Sequence, residues 1–229
     1  MNIKFLGTGG AFDTEYLNSA AILEFRDIKL LIDCGFTVFP KLIEKNLVHE
    51  IDHVILTHLH NDHSGSLANL LLYKSIILKN DRLKILYTSE QFKQQIYDLL
   101  AIQLKYPDKY AEFVPLDQFD GIMAVDTFGL HSEGYQSYAY IFDNDYRIVY
   151  SGDLGKPEEL FNRLERLPQK ETCVFHDITF SPDNTGHTYY KKLLPYINGI
   201  TMYGYHCDPT QNPDDNPIRL VFFQQNLMA

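Results

Sequence analysis

The sequence has few cysteines, no long apolar run and no concentrated positive charge. Its three cysteines, Cys34, Cys173 and Cys207, are odd in number and scattered, which favours reduced thiols in a cytoplasm over a disulfide framework. No stretch approaches the ~18 consecutive apolar residues of a membrane span, and the short, glycine-broken apolar run near the start is not typical of a signal peptide. We therefore expect a cytoplasmic protein with no membrane partner.

Basic residues are also in the minority. The chain has 20 Lys and Arg against 30 Asp and Glu, a formal net charge of −10, and its loosely basic stretches, 73–84 and 162–170, are diluted by other residues. Proteins that grip long nucleic acids usually carry a basic patch, so an RNA partner is disfavoured. A small phosphate substrate stays open, because bound divalent cations would make a pocket positive despite an acidic surface.

The order of predicted elements indicates the fold class. The 229 residues, 45% of them hydrophobic, are enough for one well-buried core, and we expect a single domain over 1–229. Strands come in adjacent groups early and alternate with helices later, which predicts a sandwich of mixed sheets with helices outside. Helices are predicted over 65–78, 89–105, 157–166 and 188–197, strands over 2–6, 19–25, 28–33, 53–57, 84–88, 122–129, 137–143, 146–151, 172–176, 200–205 and 218–223. Thr88 and Gln91 form a candidate capping box for the second helix.

The stretch "THLHNDHSG", residues 57–65, places His58, His60, Asp62 and His63 between a strand and a helix. Buried imidazoles and carboxylates are costly unless something satisfies them, and both are good zinc ligands. The spacing directs His58 and His60 to one centre and Asp62 and His63 to its neighbour. Four donors are too few for two metal ions, so further ligands must come from elsewhere.

Three other residues stand at the ends of predicted strands. His131, Asp153 and His206 follow strand-like runs, and Gly152 and Gly155 flank the aspartate with residues suited to a tight turn. Each alone is more often an ordinary hydrogen-bonded residue. Together with the compact cluster they predict one rim of a sandwich converging on a metal site.

Several motifs together make the chain resemble the metallo-β-lactamase superfamily. They occur in the expected order: "FLGTGGAF" (5–12), "LLIDCG" (30–35), "THLHNDHSG", His131, "YSGDLG" (150–155) and His206. Within the superfamily the chain is most similar to the ribonuclease Z and related phosphodiesterase branch. "FHDITF" (175–180) resembles that branch's HEAT loop, with Asp177 in place of glutamate, and "GHTYY" (186–190) resembles its HST loop, with His187 as the histidine.

The resemblance implies a fold and a metal site. It implies an α/β protein with a four-layer αββα sandwich and two zinc ions, although His and Asp sites also accept manganese or iron. By position, His58, His60 and His131 would hold one ion, Asp62, His63 and His206 the other, and Asp153 would bridge both. A hydroxide shared by the ions would attack the phosphodiester.

Two further residues are candidates for proton transfer. His187, oriented by Asp177, would protonate the leaving alkoxide. Together with the metal ligand Asp62, His187 and Asp177 are the predicted catalytic residues. The loops 9–18, 34–42 and 207–217 are expected to shape the pocket.

The function that we expect is a dinuclear-zinc phosphodiesterase acting on a small nucleotide-like or cyclic phosphodiester. The protruding basic arm of ribonuclease Z is missing from 66–130, which disfavours its endonuclease activity on transfer RNA precursors but leaves that activity as the alternative. A lactonase or other ester hydrolase on the same scaffold and a metal-binding protein without catalysis rank below these. Homodimers are common in the superfamily, although no patch in the sequence predicts one.

Overall fold

The computed structural model describes residues 1–79, 82–222 and 226–227. Two sheets lie face to face. The first has the order β13-β1-β2-β3-β4-β5-β6 and the second the order β12-β11-β10-β9-β8-β7. The strands are β1 (Asn2–Gly7), β2 (Ala20–Phe25), β3 (Ile28–Ile32), β4 (His53–Ile55), β5 (Leu83–Tyr87), β6 (Ala111–Pro115), β7 (Ile122–Asp126), β8 (Tyr138–Asp143), β9 (Arg147–Tyr150), β10 (Thr172–Asp177), β11 (Thr201–Tyr205), β12 (Arg219–Leu220) and β13 (Asn226–Leu227).

Both sheets are mixed, as predicted. In the first, β3, β4, β5 and β6 run parallel and β1, β2 and β3 are antiparallel. In the second, β9, β10, β11 and β12 run parallel, and β7, β8 and β9 are antiparallel. Parallel strands end at the same edge of a sheet, so residues that follow them meet there.

Helices cover the outer faces of the two sheets. They are α1 (Val38–Glu44), α3 (Leu67–Leu72), α4 (Glu90–Leu104) and α5 (Glu158–Glu165), and the short α2 (Asn61–Ser64) follows β4. The apolar residues of α1, α3 and α4 pack with the first sheet, and those of α5 pack on the outer face of the second. The layers therefore follow the predicted αββα order, which is confirmed. Within the described residues, none of the helices combines the length and apolar content that crossing a bilayer requires.

Several local predictions differ from the structure. Helix α4 is capped by Ser89, whose hydroxyl accepts from Phe92 N–H at 3.1 Å, whereas the buried Thr88 hydroxyl has no hydrogen-bond partner. The predicted 65–78 helix is α3 followed by a π-helical turn, Tyr73–Ile77.

Toward the end of the chain, the predicted 188–197 helix is a 3-10 helix, Tyr190–Tyr196. It contains Pro195, which lacks the N–H that an α-helix needs. Of the predicted 218–223 strand only Arg219–Leu220 is a strand, and residue 223 lies outside the described residues. Strands β6 and β13 were not predicted, and apart from these two and β12 the strands match their predicted positions within a few residues.

Aromatic side chains join the two sheets at the centre of the sandwich. Phe5 on β1 is fully buried, and its ring lies 5.2 Å from Phe175, 5.8 Å from Tyr205 and 6.1 Å from Tyr150, centroid to centroid. All three partners are on the second sheet. This cluster therefore holds the strands that carry the site residues in register with one another.

We expect Phe5→Ala to lower the free energy of unfolding by about 3–5 kcal/mol, because it removes a buried ring and leaves a cavity between the sheets. Chemical denaturation measures the loss. The matched control is Ile102→Ala on α4, where the side chain is 86% exposed and the change should stay within about 0.5 kcal/mol. Equal stabilities of the two variants would contradict this role for Phe5.

Candidate active site

All but one of the candidate residues lie in the turns that follow the carboxyl ends of parallel strands. His58 and His60 follow β4, and Asp62 and His63 belong to the short helix α2. Asp153 follows β9 and His206 follows β11. The loop between β7 and β8 contributes His131. The structure thus brings together all seven residues that the sequence suggested as ligands.

Two of these turns depend on unusual backbone conformations. Gly152, before Asp153, has φ +60°, and a Cβ there would lie 2.9 Å from Cβ of Thr57. Only glycine fits both the angle and the space. His206 has φ +63°, and its N–H donates to the carbonyl of Thr8 at 2.7 Å, which holds the imidazole at the end of the strand.

The first group of candidate ligands consists of His58, His60 and His131. One ring nitrogen of each histidine lies close to a ring nitrogen of another. Nδ1 of His60 lies 3.0 Å from Nε2 of His58 and 3.1 Å from Nε2 of His131. An ion with bonds of about 2.0–2.1 Å in tetrahedral geometry separates its ligand atoms by roughly 3.3–3.4 Å, so these spacings fit one ion. Burial lowers the pKa of His58 and of His60, which favours the neutral imidazoles that metals bind.

The second group contains two imidazoles and two carboxylates. Nε2 of His63 lies 3.2 Å from Oδ2 of Asp62 and 3.4 Å from Oδ2 of Asp153. Nε2 of His206 lies 3.3 Å and 3.5 Å from the same two oxygens. All four ligand atoms lie within 4.8 Å of one another.

Asp153 belongs to both groups. Its Oδ2 is also 3.7 Å from Nε2 of His131 and 3.9 Å from Nε2 of His58. The carboxylate is buried, and neither its Oδ1 nor Nε2 of His63 has a hydrogen-bond partner. Buried polar atoms without partners are rare in native proteins, so these orphaned atoms support a cation between the two groups. The cluster has the donors and the spacing to hold metal ions.

A buried carboxylate that the sequence analysis missed orients these rings. Asp33 accepts from Nδ1–H of His63 at 2.9 Å and from the N–H and hydroxyl of Thr57. Because the Thr57 hydroxyl donates to Asp33, it accepts from Nδ1–H of His58, 3.1 Å away. Both histidines are therefore held with Nε2 toward the cluster. Asp33 lies within the "LLIDCG" motif, which was the signal for it.

Two further contacts fix the remaining histidines of the first group. Nδ1–H of His131 donates to the carbonyl of Gly186 at 2.7 Å, which again leaves Nε2 for the cluster. The ring of Tyr135 stacks on His60, with 4.4 Å between centroids and 23° between planes. Tyr135 was not identified from the sequence, because nothing in its local pattern separates it from a core tyrosine.

His187 and Asp177 form a pair at the edge of the cluster. Nδ1 of His187 lies 2.8 Å from Oδ2 of the buried Asp177 and 3.9 Å from Oδ2 of Asp153. Burial lowers the pKa of His187, but the hydrogen bond to Asp177 and the charge of Asp153 outweigh it and raise the pKa to about 9. With Nδ1 bonded to Asp177, Nε2 is the nitrogen available to a substrate.

A cavity of about 610 Å³ opens over these residues, within the usual range for small-molecule sites. Its lining includes His60, Asp62, His131, Asp153, His187 and His206 together with residues of 10–13, 178–184 and 207–211. The predicted loops 9–18 and 207–217 therefore do shape the cavity. Residues 34–42 do not line it, because α1 begins at Val38 and turns them into the helical layer.

Known proteins similar to the chain agree with this architecture. The family model of the anti-Pycsar protein Apyc1 matches residues 1–226. The chain belongs to the Apyc1 family. Apyc1 of Paenibacillus sp. (strain J14) is 31% identical over 216 residues, which cover 85% of this chain and 83% of that protein. Ribonuclease Z of Methanopyrus kandleri is 31% identical over 202 residues, covering 86% and 66% respectively.

Solved structures show the same fold. The metallo-β-lactamase fold protein YhfI from Bacillus subtilis superposes with a TM-score of 0.76 at 18% identity, covering 99% of this chain and 98% of that one. This confirms the predicted fold, and the family match and the similarity to ribonuclease Z confirm the predicted superfamily. Family and fold together identify this Apyc1-family chain as a metal-dependent hydrolase of the phosphodiesterase class.

We expect Asp33→Asn to weaken zinc binding about 10- to 100-fold, because the amide no longer fixes the rings of His63 and His58. Competition with a chromogenic chelator measures the affinity, and circular dichroism verifies that the variant is folded. Asp27→Asn, at an exposed position, is the matched control and should bind zinc like the wild type. Unchanged affinity in Asp33→Asn would show that the orientation of these rings does not depend on Asp33.

Proposed function

We propose that this chain is a dinuclear-zinc phosphodiesterase that hydrolyses a small nucleotide-like or cyclic phosphodiester. The observation that carries the proposal is the contact of one carboxylate oxygen, Oδ2 of Asp153, with both groups of candidate ligands at the base of a cavity of about 610 Å³. Membership of the Apyc1 family supports a cyclic nucleotide as the diester.

The proposed ligand sets are those that the two groups define. His58, His60 and His131 would hold one ion and Asp62, His63 and His206 the other, with Asp153 between them. Two such ions, when bound, supply a nucleophile from water and stabilise the charge that develops on the phosphate. Zinc suits these imidazole and carboxylate donors, and manganese and iron are the competing ions.

The chain's own side chains would do the remaining work. Oδ2 of Asp62 contacts His63 and His206, which leaves Oδ1 to orient the attacking water. His187, held by Asp177 through Nδ1, donates its proton from Nε2 to the alkoxide that leaves the phosphate. Asp177 is itself fixed, because its backbone N–H donates to the hydroxyl of Ser151 at 2.9 Å.

Chelator-treated protein should not hydrolyse bis(p-nitrophenyl) phosphate, and added zinc should restore the activity. His60→Ala should lower kcat/KM of the zinc-loaded enzyme at least ~1,000-fold, because one ion loses a ligand on which charge stabilisation depends. The matched control is His49→Ala, at an exposed histidine outside the cluster, which should keep full activity. If the fully metallated wild type cleaves no phosphodiester, the proposal is wrong and ester or lactone substrates come next.

The leaving group tests the role of His187. With a cyclic nucleotide, whose leaving alkoxide needs a proton, His187→Ala should lower kcat about 10²- to 10⁴-fold. With bis(p-nitrophenyl) phosphate, whose phenolate leaves without one, the loss should be under about tenfold. Steady-state kinetics of both substrates give the comparison. Equal losses would assign His187 to positioning instead of proton transfer.

The similarity to ribonuclease Z keeps a transfer RNA endonuclease as the second candidate. Two observations disfavour it. Apart from the undescribed 80–81, residues 67–126 are taken up by α3, β5, α4, β6 and β7 with short connections, and the net charge is −10. Cleavage of a precursor transfer RNA at a rate above that of cyclic nucleotides would reverse the ranking.

A further inference from the structure

The most exposed large apolar side chain among the described residues lies at the rim of the active-site cavity. Phe12 is 97% exposed and lines the same cavity as His60 and Asp62. Single exposed apolar residues are common on protein surfaces, so exposure alone means little. The position of Phe12, beside the candidate metal ligands, is what requires an explanation.

The loop that carries Phe12 is tightly hydrogen-bonded. The carboxylate of Asp13 accepts from the N–H groups of Glu15 and Tyr16 at 2.9 and 2.7 Å. The N–H of Thr8 donates to the carbonyl of Tyr16 at 2.9 Å. The loop therefore holds the ring of Phe12 out in solvent by its own structure, so the ring is already placed before a substrate arrives.

The same loop passes directly over one candidate ligand. A Cβ at Gly10 would lie 3.5 Å from Cε1 of His206, and the backbone N–H of His206 donates to the carbonyl of Thr8. Phe12 is two residues from this contact. Its position relative to the reaction centre is thus set by backbone contacts on both sides.

Charge decides which part of a substrate lies at this rim. The carboxylates of Asp13, the next residue after Phe12, and of Asp208 line the same cavity and repel a phosphate, whereas a cation between the two ligand groups would attract it. The anionic end of a diester therefore goes to the metal ligands and its uncharged end to the rim. There the aromatic ring of Phe12 is available, with Ile178 and Phe180 among the other lining residues.

We propose that Phe12 is a specificity-determining residue on which the base of the substrate stacks. The inference rests on the proposed function and deepens it, because it makes a nucleotide base, and not the cyclic phosphate alone, part of what the site recognises. Stacking on an aromatic ring tolerates every base, since each has a flat π-face. Purine and pyrimidine substrates should therefore both depend on Phe12.

The test compares substrates with and without a base. Phe12→Ala should raise KM for cyclic AMP and cyclic CMP about tenfold with kcat within about twofold, the weak end of the range for base–aromatic stacking. A cyclic ribose phosphate that lacks a base should be hydrolysed equally well by both proteins. Phe12→Tyr should restore the wild-type KM, and Ile102→Ala, the exposed control on α4, should change nothing.

Two results would overturn the proposal. One is an equal loss with the base-free substrate. The other is a change of mass by light scattering in Phe12→Ala together with impaired hydrolysis of both substrate types, which would make Phe12 a contact between two copies of the chain.

A binding measurement separates this inference from the proposed function. If the wild type hydrolyses no phosphodiester, the proposed function fails, and calorimetry with AMP then decides the role of Phe12 alone. Binding about tenfold tighter to the wild type than to Phe12→Ala supports the stacking role. Equal affinity, or no binding to either protein, contradicts it.

Discussion

The arrangement of the active site depends on one buried carboxylate oxygen. Oδ2 of Asp153 lies between 3.4 and 3.9 Å from Nε2 of four histidines that come from three different parts of the chain. Bringing so many ionisable groups out of water is costly unless they neutralise one another. In this sandwich β4, β9 and β11 end close together, so the imidazoles and carboxylates that follow them can neutralise one another. The polar cluster therefore depends on the hydrophobic core around Phe5, because that core aligns the strands whose ends carry the cluster.

Much of the fold and of the site could be predicted from the sequence. The strands that the prediction located are short β-branched or aliphatic runs such as "HVI" and "RIVY", whose composition is visible locally. The candidate ligands of "HLHNDH" could also be recognised locally, since four donors within six residues are close together in any conformation. His131, Asp153 and His206 were predictable only because each follows such a strand and fits a known order of motifs.

What escaped prediction depends on contacts between distant residues. The role of Asp33 arises from its bonds to Thr57 and His63, 24 and 30 positions away, which no local pattern shows. The stacking of Tyr135 on His60 is of the same kind. At α4 the prediction of Thr88 as the cap was wrong, because the extended backbone of an N-cap (φ −147°, ψ 154°) falls at Ser89. Strand β6 was missed because its five residues, "AEFVP", mix charge, aromatic and proline.

The hydrogen bond from His131 to the carbonyl of Gly186 joins a candidate metal ligand to the loop that carries His187. This bond gives a bound metal ion and a bound substrate a physical route to energetic coupling. If a substrate orders this loop through His187, it also orders His131, and by thermodynamic reciprocity the metal must then favour the substrate by the same factor by which the substrate favours the metal. An Apyc1-family chain of this design would then hold its ions more tightly with substrate bound than without it.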